Sequence, residues 1–510
     1  MSGFTGKLVK NASLGILFKI LTIVFTFVNR TLFIRILGEQ YLGINGLYTN
    51  ILSVVSLADL GISGVLMFFL YEPLAHKDEQ RLSTIIAFFR KVYYAIAGAV
   101  FVLGVCLIPF LQYLIKGSDL TYTNLVLYYV LFLINTCCSY LAVYKSTMLI
   151  ADQCAYIVNT IHFVFTVVQS LLQIGVLYIT QNYVFYLLVV IGCTLANNVI
   201  LTVISEKRYP FLNRLQSEKA SKELKKKVFD SIKNVFLYRV GGTIMNSTDN
   251  ILISVLIGTV AVGYYSNYSV IAANLLALLM FFSQAMMTSL GNYGVDADIE
   301  RKEFVFRSSM LVYAVIAAFA TSCIVCMMND FISVWLKDDR YLLSNAFVAV
   351  LGFKLFIDIM TMPNWTFRDS AGLFKEVRLV MFAAAIMNLI LSVVLAKPFG
   401  LSGIIIATSL SKVATIFWYE PRTIYRKVFQ KSLLGYWKYQ LELIAVCGIA
   451  VGLSCCISKM ISCSIPGMLL KVLASAFSTG AAFCLILWRK PEFKFCLYKI
   501  AGIFRRSSTD

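Results

Sequence analysis

Gly38-Glu-Gln-Tyr-Leu-Gly43, followed by Tyr48, recurs 220 residues later as Gly258-Thr-Val-Ala-Val-Gly263, followed by Tyr268. Each copy lies at a short turn between two long apolar segments. The same shift of 220 moves the expected starts of three helices from 85 to 305, from 155 to 375 and from 183 to 403, at or within about three residues of the expected starts of three later helices. A constant shift at several turns is the pattern of an internal repeat, and it predicts two equivalent halves.

The apolar segments around these turns are long enough to cross a membrane. The chain has 510 residues, of which 59% are hydrophobic and 14% charged, and its mean hydropathy is +0.79. Soluble domains carry about 25% charged residues. Apolar runs of about twenty residues, the length that crosses a roughly 30 Å hydrocarbon core, recur along the sequence. The expected fold class is therefore an all-α polytopic membrane protein.

We predict about fourteen transmembrane helices. Helix 1 is an uncleaved first span, because its apolar run is too long for a signal peptide. The approximate bounds are 11–36, 43–69, 85–110, 121–143, 155–178, 183–204, 235–257, 262–290, 305–328, 343–362, 377–396, 400–418, 439–458 and 466–488.

These helices group into two lobes of six helices each. The N-lobe is expected over 1–204 and the C-lobe over 235–418, joined by a basic cytoplasmic linker over 205–234. Two extra helices follow over 419–488, and a basic cytoplasmic tail over 489–510. Since both lobes begin on the same side, the repeats are parallel and related by a pseudo-two-fold axis along the membrane normal.

Basic residues concentrate on one side of the predicted helices. The connection 205–234 carries nine Lys and Arg residues, whereas the loops on the other side together carry five. Further loops on the basic side are assigned Lys145 in one case and Arg368 with Lys375 in another. Because cytoplasmic loops are rich in Lys and Arg, both termini are placed in the cytoplasm. Contact with anionic membrane lipids then explains the net charge of +19, and no nucleic-acid partner is expected.

Missing motifs exclude several classes of function. The thirteen cysteines include one Cys-x-x-Cys spacing, from Cys323 to Cys326, but no second pair and no histidine completes a zinc-like cluster, so neither a metal nor a cofactor is expected. No Gly-x-x-x-x-Gly-Lys-Ser/Thr loop is present to bind ATP. The outside loops are too short to build a catalytic site, so the chain is not expected to be an enzyme. Coupling to a Na+ or H+ gradient, to the substrate gradient or to neither stays open.

Several stretches resemble Wzx-type polysaccharide flippases of the multidrug/oligosaccharidyl-lipid/polysaccharide exporter superfamily. The resemblance covers roughly residues 10–420 and identifies a family, not a substrate. The stretches are Leu37-Gly-Glu-Gln-Tyr-Leu-Gly-Ile-Asn-Gly-Leu-Tyr48, Ser53-Val-Val-Ser-Leu-Ala-Asp-Leu-Gly-Ile62, Leu70-Tyr-Glu-Pro-Leu-Ala75, Asp249-Asn-Ile-Leu-Ile-Ser-Val-Leu-Ile-Gly258 and Val262-Gly-Tyr-Tyr-Ser-Asn-Tyr268.

The resemblance implies alternating-access flipping of an undecaprenyl-diphosphate-linked oligosaccharide across the bacterial plasma membrane, from the inner to the outer leaflet. It also implies a role in capsule, exopolysaccharide or O-antigen synthesis, with the polysaccharide polymerase machinery as a partner. A cation-coupled multidrug antiporter of the same superfamily is the alternative. That function predicts an acidic or apolar cavity, whereas the intramembrane charges here include arginines.

Polar residues inside the apolar segments are the candidate substrate-binding residues, because a charge at bilayer depth usually faces a partner or a wet cavity. Arg239 lies about one turn into helix 7, where a guanidinium meets a lipid diphosphate or snorkels to the interface. Arg30 lies deeper in helix 1. Asn246, Asn250 and Asn267 add hydrogen-bonding groups suited to sugars.

The repeat suggests a gate between helices 1 and 7. Shifting Asn29 by 220 residues gives Asp249, so Arg30 and Asp249 are expected at similar depth in the two lobes. We predict that they pair across the outer side of the cleft in the inward-facing state. The alternative is burial within separate lobes against local partners such as Asn246 or Asn250.

Three more charges are candidates for gating or coupling. Lys354 and Asp358 are four residues apart on helix 10, so they form either a structural ion pair or a cation-coupling site. Asp59 lies in the inner half of helix 2, where it pairs with Lys19 or exchanges a proton.

Overall fold

The computed structural model describes residues 2–56, 62–214, 221–293 and 298–498. Within these ranges every regular element is a helix and none is a strand. The predicted class of all-α polytopic membrane protein is thereby confirmed. Asp59 lies outside the described residues.

The structure defines the bounds of seventeen α-helices, with short 3-10 turns and one π turn, and 491–498 is helical as well. The α-helices are α1 Ser2–Leu37, α2 Glu39–Val55, α3 Ile62–Ala75, α4 Glu79–Leu107, α5 Leu111–Leu114, α6 Tyr122–Ser139, α7 Val143–Ala151, α8 Ala155–Thr180, α9 Tyr183–Arg208, α10 Lys222–Leu256, α11 Thr259–Tyr293, α12 Ile299–Leu336, α13 Asn345–Ser370, α14 Phe374–Ala414, α15 Ile416–Ile424, α16 Leu434–Ser458 and α17 Ile465–Leu487. The 3-10 turns are Ile108–Phe110, Tyr140–Ala142, Pro210–Arg214 and Asp339–Tyr341, and the π turn is Tyr425–Phe429.

Each of the fourteen predicted segments contains helix, but the divisions differ in places. Predicted helix 2 corresponds to α2 and α3, and predicted helices 11 and 12 form one continuous element, α14. The chain breaks direction inside α14 at Gly400, whose φ of 54° and ψ of −131° are not helical. Ten segments of the described chain are long and apolar enough to cross a membrane.

The predicted connection over 205–234 is helical at both ends. α9 continues to Arg208, and α10 begins at Lys222. The hydroxyl of Ser221 accepts from the backbone N–H of Leu224 (3.1 Å) and caps this start. Lys227 pairs with Glu223 one turn earlier (2.8 Å), and lysine and glutamate both favour helix. The lysine-rich run therefore extends predicted helix 7 instead of forming a loop.

The 220-residue repeat is visible in backbone conformation as well as in residue identity. Gly38 and Gly258, 220 residues apart, both have positive φ (88° and 141°). The next residue begins a helix in each case, α2 at Glu39 and α11 at Thr259. A positive φ suits glycine, which has no Cβ to clash with the backbone. These two glycines therefore make the same turn in the two halves.

Two further pairs keep the same shift. Asp78 and Asp298 are the N-terminal flanking residues of α4 and α12. Gly117, in the turn after α5, and Lys337, at the end of α12, both have positive φ (65° and 55°). The shift therefore holds for about eighty residues, which chance glycine spacing would not produce.

Contacts divide the chain into two compact units, Met1–Ser266 (unit 1) and Asn267–Asp510 (unit 2). In unit 1, α1 packs on α8, α8 and α6 pack on α9, and α2 packs on α10. In unit 2, α12 packs on α13 and α16, and α16 packs on α17. Contacts place α10 with unit 1 because α10 packs on α2, whereas the lobe bounds rest on the repeat and stay a prediction.

Candidate functional site

The Arg30 side chain lies among uncharged polar groups of unit 1. Its neighbour Asn29 is buried on α1 and donates from Nδ2 to Oε1 of Gln173 on α8 (2.6 Å). The hydroxyl of Tyr186, on α9, interacts with Arg30, Asn29 and Gln173. Three helices thus bring one cation and three neutral polar side chains together inside an apolar bundle.

A cavity of about 220 Å³ lies beside this cluster, between α2, α6, α8 and α9. Its polar lining consists of four primary amides and one phenol. Leu131, Phe132, Leu187 and Val190 supply the apolar lining. The five polar residues are Asn45, Asn135, Gln169, Gln173 and Tyr186.

None of these amides was singled out from the sequence. A signal was present, since Gln169 and Gln173 lie one turn apart in an apolar helix, where two polar side chains share one face. The charges drew attention instead because a charge costs more than an amide at bilayer depth.

A second feature of unit 1 is a close contact between α2 and α11. A Cβ placed on Gly43 would lie 2.1 Å from the carbonyl oxygen of Thr259, and one placed on Gly263 would lie 2.4 Å from that of Glu39. Gly43 and Gly263 are equivalent under the 220-residue shift, and so are Glu39 and Thr259. The contact is therefore reciprocal, and we call it the glycine seam.

Side chains next to the glycine seam fasten α10 and α11 to the rest of unit 1. The Ser254 hydroxyl donates to the carbonyl oxygen of Leu114 (2.6 Å). Both the backbone N–H and the hydroxyl of Thr259 donate to the carbonyl oxygen of Lys116 (3.0 Å each). The seam lies at the ends of the helices that the basic-loop pattern assigns to the outer side.

The ion pair predicted on helix 10 is present, but Asp358 has a closer partner. Asp358 Oδ2 lies 4.0 Å from Nζ of Lys354, whereas its Oδ1 lies 2.5 Å from Nζ of Lys412 on α14. The carboxylate therefore joins α13 to α14. Lys412 was missed because it is 54 residues away in sequence.

The structure corrects the placement of two basic residues that were assigned to loops. Arg368 is fully buried at the end of α13 and pairs with Asp369 and with Glu420 on α15. Lys145 is buried in α7 and pairs with Glu206 (2.6 Å). Both cations have carboxylate partners inside the protein, so neither marks a solvated loop.

A further ion pair, between a buried lysine and a half-buried aspartate, was not predicted. Lys471 of α17 pairs with Asp330 of α12, and both lie within unit 2. The extra C-terminal helices are thus joined to the body of unit 2 by a charge pair as well as by packing.

The other candidate residues are placed as follows. Asp249 is buried on α10, and its predicted pairing with Arg30 stays a prediction. Asn250 is half-buried on the same helix, and Asn267 is fully buried on α11. Arg239 and Asn246 lie on α10, but their side chains are outside the described set.

The fold is shared with solved transporters of low sequence identity. A structure titled as the inward-facing conformation of a multidrug resistance MATE family transporter of the MOP superfamily matches with a TM-score of 0.61 and 13% identity, over 81% of this chain and 98% of its own. The lipid II flippase MurJ, in an inward closed conformation, matches with a TM-score of 0.61 and 11% identity, over 92% of this chain and 98% of its own.

A third match is a MOP superfamily transporter from Pyrococcus furiosus, whose binding pocket is described as having reverse polarity. It matches with a TM-score of 0.57 and 12% identity, over 84% of this chain and 96% of its own. No family model and no curated protein matches the sequence. These comparisons show that the chain has the fold of MOP superfamily transporters. The narrower Wzx-type assignment stays a prediction.

Proposed function

We propose that this protein is a flippase for undecaprenyl-diphosphate-linked oligosaccharides, which it moves from the inner to the outer leaflet of the bacterial plasma membrane. The motif resemblance to Wzx-type flippases supports this substrate. The fold comparison adds support, since MurJ, titled a lipid II flippase, shares its fold with 92% of this chain. The MATE transporter shares its fold with 81%.

Arg30 is the observation that carries the proposal. Inserting an arginine at bilayer depth costs about 3 kcal/mol by insertion scales. An arginine at that depth therefore indicates a functional role. Its described surroundings include Asn29, Gln173 and Tyr186, which are all uncharged. A guanidinium beside a polar cavity suits an anionic diphosphate better than it suits a cationic drug.

The remaining parts of the proposal concern energy, partners and the gate. A Na+ or H+ gradient is the proposed energy source, and the polysaccharide polymerase machinery is the proposed recipient of the flipped lipid. Arg30 and Asp249 form the proposed outer gate, with Lys354, Asp358 and Asp59 as coupling residues. Arg239, Asn246, Asn250 and Asn267 complete the proposed substrate contacts.

The proposal is tested by deleting the gene in its own host. We expect lipid-linked repeat units to accumulate in the inner leaflet, where a glycan-modifying enzyme added outside spheroplasts does not reach them. Restoring the gene should return the glycans to the outer leaflet. Unchanged delivery in a strain without any redundant flippase would show that the assignment is wrong.

The gate is tested by exchanging the two charges. Arg30→Asp and Asp249→Arg are each expected to reduce glycan delivery at least tenfold, because each leaves two like charges facing one another. The double exchange should restore a measurable part of the delivery. If the double variant is as inactive as either single variant, the two residues do not pair.

A further inference from the structure

The amide-lined cavity of unit 1 is large enough to hold a ligand. Protein interiors are close-packed, with few voids larger than one water molecule. The cavity has a volume of about 220 Å³. At about 30 Å³ for each molecule of liquid water, it has room for about seven waters or for one sugar ring.

The lining is polar but carries no formal charge. Each of its four amides offers one acceptor oxygen and two N–H donors, and the Tyr186 phenol offers one of each. None of the described lining residues is a carboxylate that could bind a metal cation or carry a proton. The chemistry therefore matches a neutral ligand with many hydroxyl or acetamido groups.

The apolar part of the lining has a complementary role. The Phe132 ring and the side chains of Leu131, Leu187 and Val190 border the same space. A pyranose ring has hydroxyl groups around its edge and C–H groups on its faces, so it needs both kinds of surface. Binding pockets for small molecules combine apolar walls with a few placed polar groups in this way.

Neighbouring side chains orient two of the four amides before any ligand arrives. The Thr194 hydroxyl donates to Oδ1 of Asn135 (2.8 Å), and Nδ2 of Asn29 donates to Oε1 of Gln173 (2.6 Å). The Tyr186 ring stacks on Tyr183, with 5.9 Å between the ring centroids. Groups held in this way lose little entropy on binding, which favours affinity.

We propose that this cavity binds one neutral sugar ring of the transported glycan, through Asn135, Gln169 and the other lining amides. The inference rests on the proposed flippase function and adds a glycan site to it. Arg30, which interacts with Tyr186 at the border of the cavity, supplies the positive charge that binds the lipid diphosphate. The lipid and the glycan are thus recognised by different groups.

The test compares two lipids on the purified full-length protein in nanodiscs. One is undecaprenyl-diphosphate-linked oligosaccharide extracted from the host, and the other is undecaprenyl diphosphate without sugar. Gln169→Leu and Asn135→Leu are each expected to weaken binding of the sugar-bearing lipid about tenfold, the value of one or two lost hydrogen bonds. Binding of the bare lipid should not change.

Two further variants keep the test independent of misfolding. Thr194→Val leaves the lining intact and releases Asn135, so we expect a smaller loss of about threefold for the sugar-bearing lipid only. Thr166→Val is the matched control, because that hydroxyl donates to the His162 carbonyl of its own helix and does not line the cavity.

Each outcome decides the inference. An equal loss for both lipids would mean that the amides only support the helices, and no loss would mean that the cavity holds only water. Either result overturns the sugar site and leaves the flippase proposal standing. If the unmodified protein binds neither lipid, the proposed function itself fails.

Discussion

At the scale of single residues, Arg368 is the most deeply buried charged side chain that the structure describes. It is fully buried and pairs with Asp369 and Glu420, of which Glu420 is also buried. A buried charge pair contributes little net stability, but removing one partner strands the other charge in a low-dielectric interior. Arg368 therefore has a structural role at the end of α13, although its positive charge led to its assignment to a cytoplasmic loop.

Arg368→Met is expected to lower the free energy of unfolding by about 3–5 kcal/mol. The measurement is the temperature at which the detergent-solubilised protein loses its monodisperse elution peak. Arg81→Gln is the control, because Arg81 pairs with Glu72 (2.9 Å) where both side chains are more than half exposed. Such pairs contribute about 0–1 kcal/mol, so a similar loss in both variants would contradict the role of burial.

Arg368 also shows why some residues could not be assigned from the sequence. Arg368 follows a predicted helix, so it was counted among the basic residues of a loop. Its partner Glu420 is 52 residues away in sequence. The bond between Asn29 and Gln173 joins positions 144 residues apart. Hydropathy and short-range spacing carry no information on such pairs, so the meeting of the helices around the amide cavity could not be predicted, although Gln169 and Gln173 could have been recognised as sharing one face of α8.

At the scale of helices, the glycine seam fixes how closely α2 and α11 approach. The Cβ positions built on Gly43 and Gly263 would fall well inside contact distance of backbone oxygens, which cannot rotate away. Any side chain at either position must push the two helices apart. Forced overpacking of this kind costs about 1–3 kcal/mol.

Gly43→Ala is expected to loosen the seam and expose residues next to it. Ser266 is 7% exposed, and it adjoins Gly46 of α2. Labelling of a Ser266→Cys variant by a membrane-impermeant maleimide, above the background of the native thiols, should rise severalfold when Gly43→Ala is added. Gly64→Ala is the control, since nothing lies within 4 Å of a Cβ there. Equal labelling of Ser266→Cys in the Gly43→Ala and Gly64→Ala variants would show that the glycine seam does not shield position 266 from the reagent.

The helices themselves were largely predictable, and the reason is physical. Long apolar runs satisfy backbone hydrogen bonds only as helices in a membrane, so hydropathy locates them. Gly38 and Gly258 could be matched because each turn needs a positive φ. The continuation of α10 through the lysine-rich run was missed because charged residues were taken as the end of a span, although lysine favours helix.

At the scale of the whole molecule, the orientation in the membrane stays a prediction. In unit 2, Lys431 bonds to Glu303 near the start of α12 (2.8 Å), so the turn before α16 lies at that end of α12. The hydrogen bond with Glu303 raises the pKa of Lys431 above its ordinary value, which keeps this amine charged. Asp338 and Arg340 lie at the other end of α12.

Reporter fusions test this orientation. Alkaline phosphatase fused after Arg340 should be active, because the enzyme matures only outside the cytoplasm, and a green fluorescent protein fused after Gln430 should fluoresce. The physical reason is the retention of Lys- and Arg-rich loops on the cytoplasmic side. An active phosphatase after Gln430, with an inactive one after Arg340, would reverse the topology.

The reciprocity of the glycine seam has a consequence for the origin of the chain. The Cβ position of Gly43 lies against the backbone of Thr259 and Gly263. The Cβ position of Gly263 lies against the backbone of the equivalent residues, Glu39 and Gly43. Contacts of this kind, with the same patch on both partners, are characteristic of a symmetric homodimer. A half-length ancestor would have met a second copy of itself through this glycine, and gene duplication with fusion would have preserved the contact within one polypeptide.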